Sequence, residues 1–262
     1  MRDARWLGWP AQSNHDRTMT RRRRWASLTI VMLLILCAAG CRPTPPSGSG
    51  AGPQMPAVTP LAAQVNAVIA GTATRIAAAE PLSETEWESL RGLAGLRELI
   101  LNGGVADDSR AELLATLPQV ERLVLRDSPL SDAGFRALAR CVTLRNLNVP
   151  QAACTPAGIR ALAALPELRS LRLGGGPLAT AGAEVGRAVA DLPQLRSLHL
   201  IDVPLGDDGL EAIARLPQLR NLYLDGAGVS DESWGRYFES HPRVHVHVDQ
   251  AHHDRDPGRD HH

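Results

Sequence analysis

The sequence predicts an α/β solenoid, with a curved parallel sheet on a concave face and short helices on a convex one. Three observations carry this. The pattern LxxLxL recurs six times, beginning at Leu96, Val120, Leu144, Leu168, Leu195 and Leu219, so that successive starts lie 24, 24, 24, 27 and 24 residues apart. Within each copy the residues at the fourth and sixth places are apolar and alternate with polar or variable ones, the period-two signature of a strand with one buried face. After each copy come a turn, an apolar residue and a stretch with inward side chains three apart, such as Phe135, Leu138 and Cys141, which is helical spacing. One coil of some 24 residues cannot fold alone. It buries about seven aliphatic side chains, on the order of 10 to 20 kcal/mol, whereas ordering each residue costs about 1 to 2 kcal/mol. Neighbouring coils must cover its open faces, and the two ends need caps.

The chain has 262 residues and is 44% apolar, enough for a substantial core. Its net charge of zero averages two unlike parts. Residues 1–41 hold seven arginines and two aspartates, net +5, and the remaining 21 arginines and 26 acids give residues 42–262 a net −5. A mildly acidic main part argues against nucleic acid as a partner.

The positive excess belongs to an export signal over residues 1–41. Arg21 to Arg24 form a charged n-region, ASLTIVMLLILCAA is an apolar stretch short for a membrane span, and the small residues Ala38, Ala39 and Gly40 precede Cys41. This resembles a bacterial lipoprotein signal, with Ala38 standing where leucine is usual. The resemblance implies that Cys41 is acylated and becomes the mature N-terminus, anchoring the chain in the cell envelope and facing the periplasm or the exterior. An uncleaved anchor helix is the alternative. Met19 is an alternative start that gives a signal of ordinary length. Residues 42–59 are rich in proline, glycine and serine and read as a tether, reaching up to roughly 55 Å if fully extended.

A domain over 60–249 follows. PLAAQVNAVIAG, from Pro60, reads as a capping helix. Ser83, Ser131, Thr155 and Ser230 share one column and are followed by Glu84, Asp132, Pro156 and Asp231. Serine or threonine suits a helix N-cap, and an acid or a proline suits the first helical position. Proline can replace a helix starter but not a catalytic aspartate, so the column is read as capping. Ser83 with Glu86 completes a capping box. The 27-residue unit has three extra residues between Leu178 and Leu192, expected to lengthen its helix around GAEVGRAVA. Trp87 falls in the column of Phe135; Trp234, Tyr237 and Phe238 close the last helix, and VHVHV forms a final strand. Residues 250–262, rich in histidine, are expected to be disordered and able to bind transition metals only loosely.

These repeats resemble the leucine-rich repeat family, in its short α/β, ribonuclease-inhibitor-like type, over about residues 72–249. The match is to a consensus LxxLxLxx followed by (ST)DxGL. At the ninth place, where the family often has Asn, Cys or Thr to bond loop backbone, this chain has Gly104, Ser128, Ala152, Gly176, Val203 and Ala227. Loop amides there are expected to find other partners. The resemblance implies recognition of a protein or other macromolecule through the concave face, whose side chains stand out from a rigid sheet.

Candidate residues follow from that face. Its central column reads Ile100, Val124, Asn148, Arg172, His199, Tyr223, His247, and the column before it reads Glu98, Arg122, Asn146, Ser170, Ser197, Asn221, His245. Asp225 and Asp249 end the column after it. The face therefore grades from apolar to polar. Arg122, Asn148, Arg172, His199, Asn221, Tyr223, Asp225, His245 and His247 are its binding candidates. A metal-binding or hydrolytic site in the C-terminal His/Tyr/Asp cluster is one alternative, and a purely structural envelope protein is another. A further column, Arg97, Glu121, Arg145, Arg169, Arg196 and Arg220, is read as a solvated rim rather than an anion site. Cys141 and Cys154 occupy leucine columns and are read as buried thiols. No nucleophile elbow, P-loop, dinucleotide fingerprint or zinc-protease motif occurs. The chain is therefore expected to have neither enzymatic activity nor a cofactor.

Overall fold

The computed structural model describes residues 59–103 and 105–256. The expected signal, its lipidated Cys41 and residues 42–58 of the tether lie outside the described residues, as do 257–262. Among the described residues no helix is long and apolar enough to cross a membrane.

The elements alternate along the chain. The helices are α1 (Leu61–Ile69), α2 (Glu84–Ser89), α3 (Asp108–Leu114), α4 (Asp132–Leu138), α5 (Pro156–Ala161), α6 (Gly182–Ala190), α7 (Gly206–Ile213) and α8 (Asp231–Ser240). The strands are β1 (Arg75–Ala78), β2 (Glu98–Leu101), β3 (Arg122–Leu125), β4 (Asn146–Val149), β5 (Ser170–Gly174), β6 (Ser197–Ile201), β7 (Asn221–Asp225), β8 (His245–Val248) and β9 (Ala251–His252). They form one sheet in sequence order, parallel throughout except for the antiparallel pairing of β8 with β9.

Register explains the core. Ile76, Leu99, Leu123, Leu147, Leu171, Leu198, Leu222 and Val246 are successive cross-strand partners, and none is more than 1% exposed. Residues two apart on one strand share a face, so this ladder fixes every other side chain of the sheet. Facing it, Leu90, Leu114, Leu138, Leu162, Val189, Ile213 and Tyr237 form a second buried ladder contributed by the outer wall. Trp87 and Phe135 are buried in one column as expected, and Trp234, Tyr237 and Phe238 are buried at the far end. Cys141 and Cys154 are free and buried. Burial pushes their thiols up to about 11 and about 12.

The helix starts show more than capping. Ser131 Oγ accepts from the Ala133 N–H and Thr155 Oγ1 from the Ala157 N–H. Each cap is in turn held by the acid at the start of the preceding helix. Asp108 accepts from the Ser131 N–H at 2.9 Å, from the Ser131 hydroxyl, and from the Gly134 N–H at 3.0 Å. Asp132 repeats this one coil later with the Thr155 N–H (2.7 Å), the Thr155 hydroxyl (2.8 Å) and the Gly158 N–H (3.0 Å). Asp207 does so with the Ser230 N–H and hydroxyl, both at 2.8 Å. The acid of the column is therefore a clasp between coils as well as a dipole partner. Glycine is required beside it: a Cβ on Gly134 would lie 2.5 Å from Asp108 Oδ1, and one on Gly158 2.6 Å from Asp132 Oδ1.

The clasp is interrupted where Pro156 replaces the acid and α6 begins after Ala181 with no side-chain cap. Here α6 and α7 meet backbone to backbone, since a Cβ on Gly186 would fall 2.4 Å from the Gly209 carbonyl oxygen. The three extra residues of this unit do not simply lengthen the helix. They are shared between a nine-residue α6 and a 3₁₀ turn, Gly176–Thr180, that precedes it.

Three further expectations are corrected. At the ninth place Ser128 does bond loop backbone, its buried hydroxyl accepting from the Ala106 N–H and donating to the Arg126 carbonyl. A strand not expected, β1, adds a coil at the start; of its two core-column residues, Ile76 and Ala78, only Ile76 is large. Residues 250–256 are ordered: a two-residue turn at Asp249 and Gln250, both at positive φ, folds β9 back onto β8. His253 then packs against Trp234 and Phe238 at 4.8 and 4.9 Å between ring centroids, which ties the segment to the core.

Both ends of the sheet are covered. At the first edge the Gln64 side chain of α1 accepts from the Ala77 N–H at 2.8 Å and donates to the Ala77 carbonyl at 3.0 Å, acting as a strand partner. At the last edge β9 fills the same need.

Candidate functional site

The outward columns emerge in register. Val124 pairs with Asn148, Asn148 with Arg172, Arg172 with His199, His199 with Tyr223 and Tyr223 with His247. In the column before, Arg122, Asn221 and His245 occupy the corresponding places on β3, β7 and β8. Strand alternation alone puts them on the face opposite the leucine ladder.

The first half of this face is quiet. Arg122 lies 3.3 Å from Glu98, a partly solvated pair. The rim column is interleaved with acids: Arg97 pairs with Glu121, Arg145 lies 3.7 Å from Glu121, and Arg169 pairs with Glu167 at 2.9 Å. Stacked like charge is thereby dispersed. The middle is more demanding. Asn148 is only 5% exposed, and its Oδ1 has no hydrogen-bond partner among the described residues. A buried acceptor left unsatisfied is costly, which makes it a point where an added donor gains most. Next to it, burial and then the neighbouring Arg126 hold the Arg172 guanidinium below its ordinary value, with Asp225 opposing.

The second half is aromatic and titratable. His199 Nε2 lies 3.1 Å from Asp225 Oδ2. The Tyr223 ring sits between His199 and His247, at centroid distances of 5.5 and 5.0 Å. Burial, and then the nearby Asp256, push the Tyr223 hydroxyl up, so it is a neutral donor. His245 and His247 point the same way from β8, with their Nε2 atoms 2.9 Å apart. Burial first, then His252 and His245, bring the His247 imidazole down to about 4, so it is neutral at neutral pH.

Two residues that the sequence placed in a disordered tail join this cluster. His252 is the cross-strand partner of His247 on β9, with rings 4.1 Å apart. Asp256, whose side chain is 0% exposed, lies 2.8 Å from His245 Nδ1 and accepts from the Val246 N–H at 3.1 Å. Asp249, expected in the cluster, instead accepts from the Gly226 N–H at 2.8 Å and serves the turn. One ring nitrogen from each of His245, His247 and His252 lies within 4.8 Å of the others, so among the described residues these three could hold a metal. The sequence signals for His252 and Asp256 were the histidine-rich composition of 250–262 and their nearness to VHVHV, and a hairpin through Asp249-Gln250 was not legible there.

No family model matches the chain. No curated protein matches it either. Among solved structures, an internalin from Listeria monocytogenes aligns over 72% of this chain at 18% identity, with a TM-score of 0.42. This chain spans 64% of that protein's length. The unbroken leucine ladder, the 24-residue coils and the in-register parallel sheet with helices across from it make the chain a leucine-rich repeat solenoid.

Proposed function

We propose that this is an exported, lipid-anchored leucine-rich repeat protein that recognises another protein through the outward, concave face of its sheet, and that it does so without catalysis. The observation that carries the reading is the central column, where a buried acceptor on Asn148, the guanidinium of Arg172 and the His199, Tyr223 and His247 rings follow one another in strand register. Side chains fixed by a sheet lose little entropy on binding, and Tyr and Arg are the residue types that anchor protein interfaces. The graded chemistry suits a partner with a carboxylate or amide near Arg172 and Asn148 and a flat group against Tyr223.

A photo-cross-linker placed at Asn221 in intact cells should give a discrete adduct that one placed at Arg136, on the helix side, does not. The double charge reversal Arg122→Glu with Arg172→Glu should abolish that adduct. Equal adducts from both positions, or indifference to the charge reversal, would favour a purely structural envelope protein. For the anchor, intact-mass analysis of the membrane fraction should find acyl chains on Cys41. A free Cys41 thiol there would end the anchoring proposal.

A further inference from the structure

We infer that His245, His247 and His252 form a binding site for one late first-row divalent metal ion, zinc foremost, with buried Asp256 orienting His245. The site shares His245 and His247 with the recognition face but does not rest on the protein-recognition reading.

Backbone geometry builds the triad. His245 and His247 are two apart on β8 and therefore share a face, while His252 is placed opposite His247 by the β8–β9 pairing. The register is fixed by the tight Asp249-Gln250 turn, whose positive φ at two non-glycine residues is kept despite a cost of about 1 kcal/mol or more per residue. Three imidazoles are thus brought to one point by a device that serves no leucine column.

The polar surroundings favour a cation there. His245 gives its Nδ1–H to Asp256, which in the neutral ring leaves the Nε2 lone pair facing His247 Nε2. A carboxylate behind a histidine is the usual outer partner of a metal-bound imidazole, fixing its tautomer and raising its basicity. The carboxylate of Asp256 is itself fully buried, a placement that positive charge held by the facing imidazoles would compensate.

Distances are close to those required. Nitrogen donors about 2.05 Å from a tetrahedral zinc lie about 3.3 Å from one another. The pair at 2.9 Å is slightly inside this, and the third donor, within 4.8 Å, needs its ring to swing by at most about 1.5 Å, which half-buried rings allow. Imidazole ligands suit zinc, copper and nickel over magnesium or calcium. Three protein donors leave a fourth position for water or for a group from a partner.

The test is zinc titration of the full chain, with a chromogenic chelator as competitor. One zinc per chain should bind at micromolar or lower free metal. His247→Ala should weaken binding at least 100-fold and Asp256→Asn by 10- to 100-fold. A His261→Ala/His262→Ala variant, which alters only the terminal histidines, should bind as the parent does. Should His247→Ala unfold the cap, cobalt loading of the unaltered chain gives an independent answer: intense visible bands of a tetrahedral nitrogen-ligated ion are expected. Absence of stoichiometric binding, weak octahedral cobalt bands, or loss of binding in the His261/His262 variant with retention in His247→Ala would each overturn the proposal. Zinc binding is read on the isolated chain and the cross-link on intact cells, so failure of this site and failure of the recognition reading are separable.

Discussion

The outer wall is held together in two different ways. From α3 to α5 each coil grips the next through a carboxylate that bonds the following cap and the N–H of a glycine, whereas α6 and α7 close on one another where Gly186 meets the backbone of Gly209. The clasp is directional: it specifies which residue faces which, and both partners keep a thin polar layer between helices. The glycine contact is a matter of proximity only. It tolerates no side chain at all, but it needs no charge and no hydrogen bond. A single solenoid thus shows that coil spacing can be set by polar reach or by van der Waals contact, provided the leucine ladder beneath stays in register.

The largest expected effect breaks the second kind. Gly186→Val would put a Cβ 2.4 Å from the Gly209 oxygen and 2.7 Å from its Cα, and should cost about 3 kcal/mol in urea-induced unfolding, the upper part of the range for overpacking. A loss below about 1 kcal/mol would show that the two helices are free to separate. Gly134→Ala comes next, at about 2 kcal/mol, because its methyl meets the Asp108 carboxylate. Its sign is diagnostic. Alanine favours a helix over glycine by about 1 kcal/mol, so in an Asp108→Ala background the same change should become far milder. An undiminished cost there would assign the clash to Leu130 instead.

Asp132→Asn should cost about 1.5 kcal/mol, since the clasp loses its charge and one oxygen. Cys154 reports this loss locally. Its thiol, buried and pushed up to about 12, should resist alkylation at pH 8 in the unaltered chain and react about tenfold faster in Asp132→Asn. Equal rates would mean that the clasp does not restrain opening of its own coil. The smallest effect concerns acid. The Ser230 backbone N–H, and after it the Ser230 hydroxyl, hold the Asp207 carboxyl below its ordinary value. Folding therefore gains from this group above its unfolded value of about 4 and loses that gain as pH falls through the lower folded value. The thermal-midpoint difference between Asp207→Asn and the parent should be present at pH 7 and vanish near pH 2; persistence in acid would argue against the carboxylate as its cause.

The coil was legible because leucine ladders are a property of each coil taken alone. LRELIL and its five relatives announce β2 to β7 by period two, and Ser131 and Thr155 announce their helix starts by residue type. The clasp was not, because Asp132 acts on Thr155 and Gly158 in the next coil, and a column read within one repeat shows only an acid at a helix start. The aspartate and glycine of (ST)DxG are partners across coils, a relation that aligned columns conceal. β1 escaped notice because RIAA has one large apolar residue. The candidate face was legible as a set of columns, since register follows from the ladder, but its C-terminal cluster was drawn with Asp249 in it and without His252 and Asp256. A reversal of the chain through two non-glycine residues at positive φ has no strong sequence signature, and everything beyond it moved from tail to site.

The Gln64 amide and β9 have a consequence at a larger scale. A stack of parallel coils offers free N–H and C=O groups at both termini, and two such molecules meeting end to end would continue each other as a fibre. Here one terminus has its midpoint amide and carbonyl already occupied by a glutamine, and the other is finished by a strand running the wrong way for a further coil. Among the described residues, both ends of the sheet are therefore shaped against continuation by a further parallel coil.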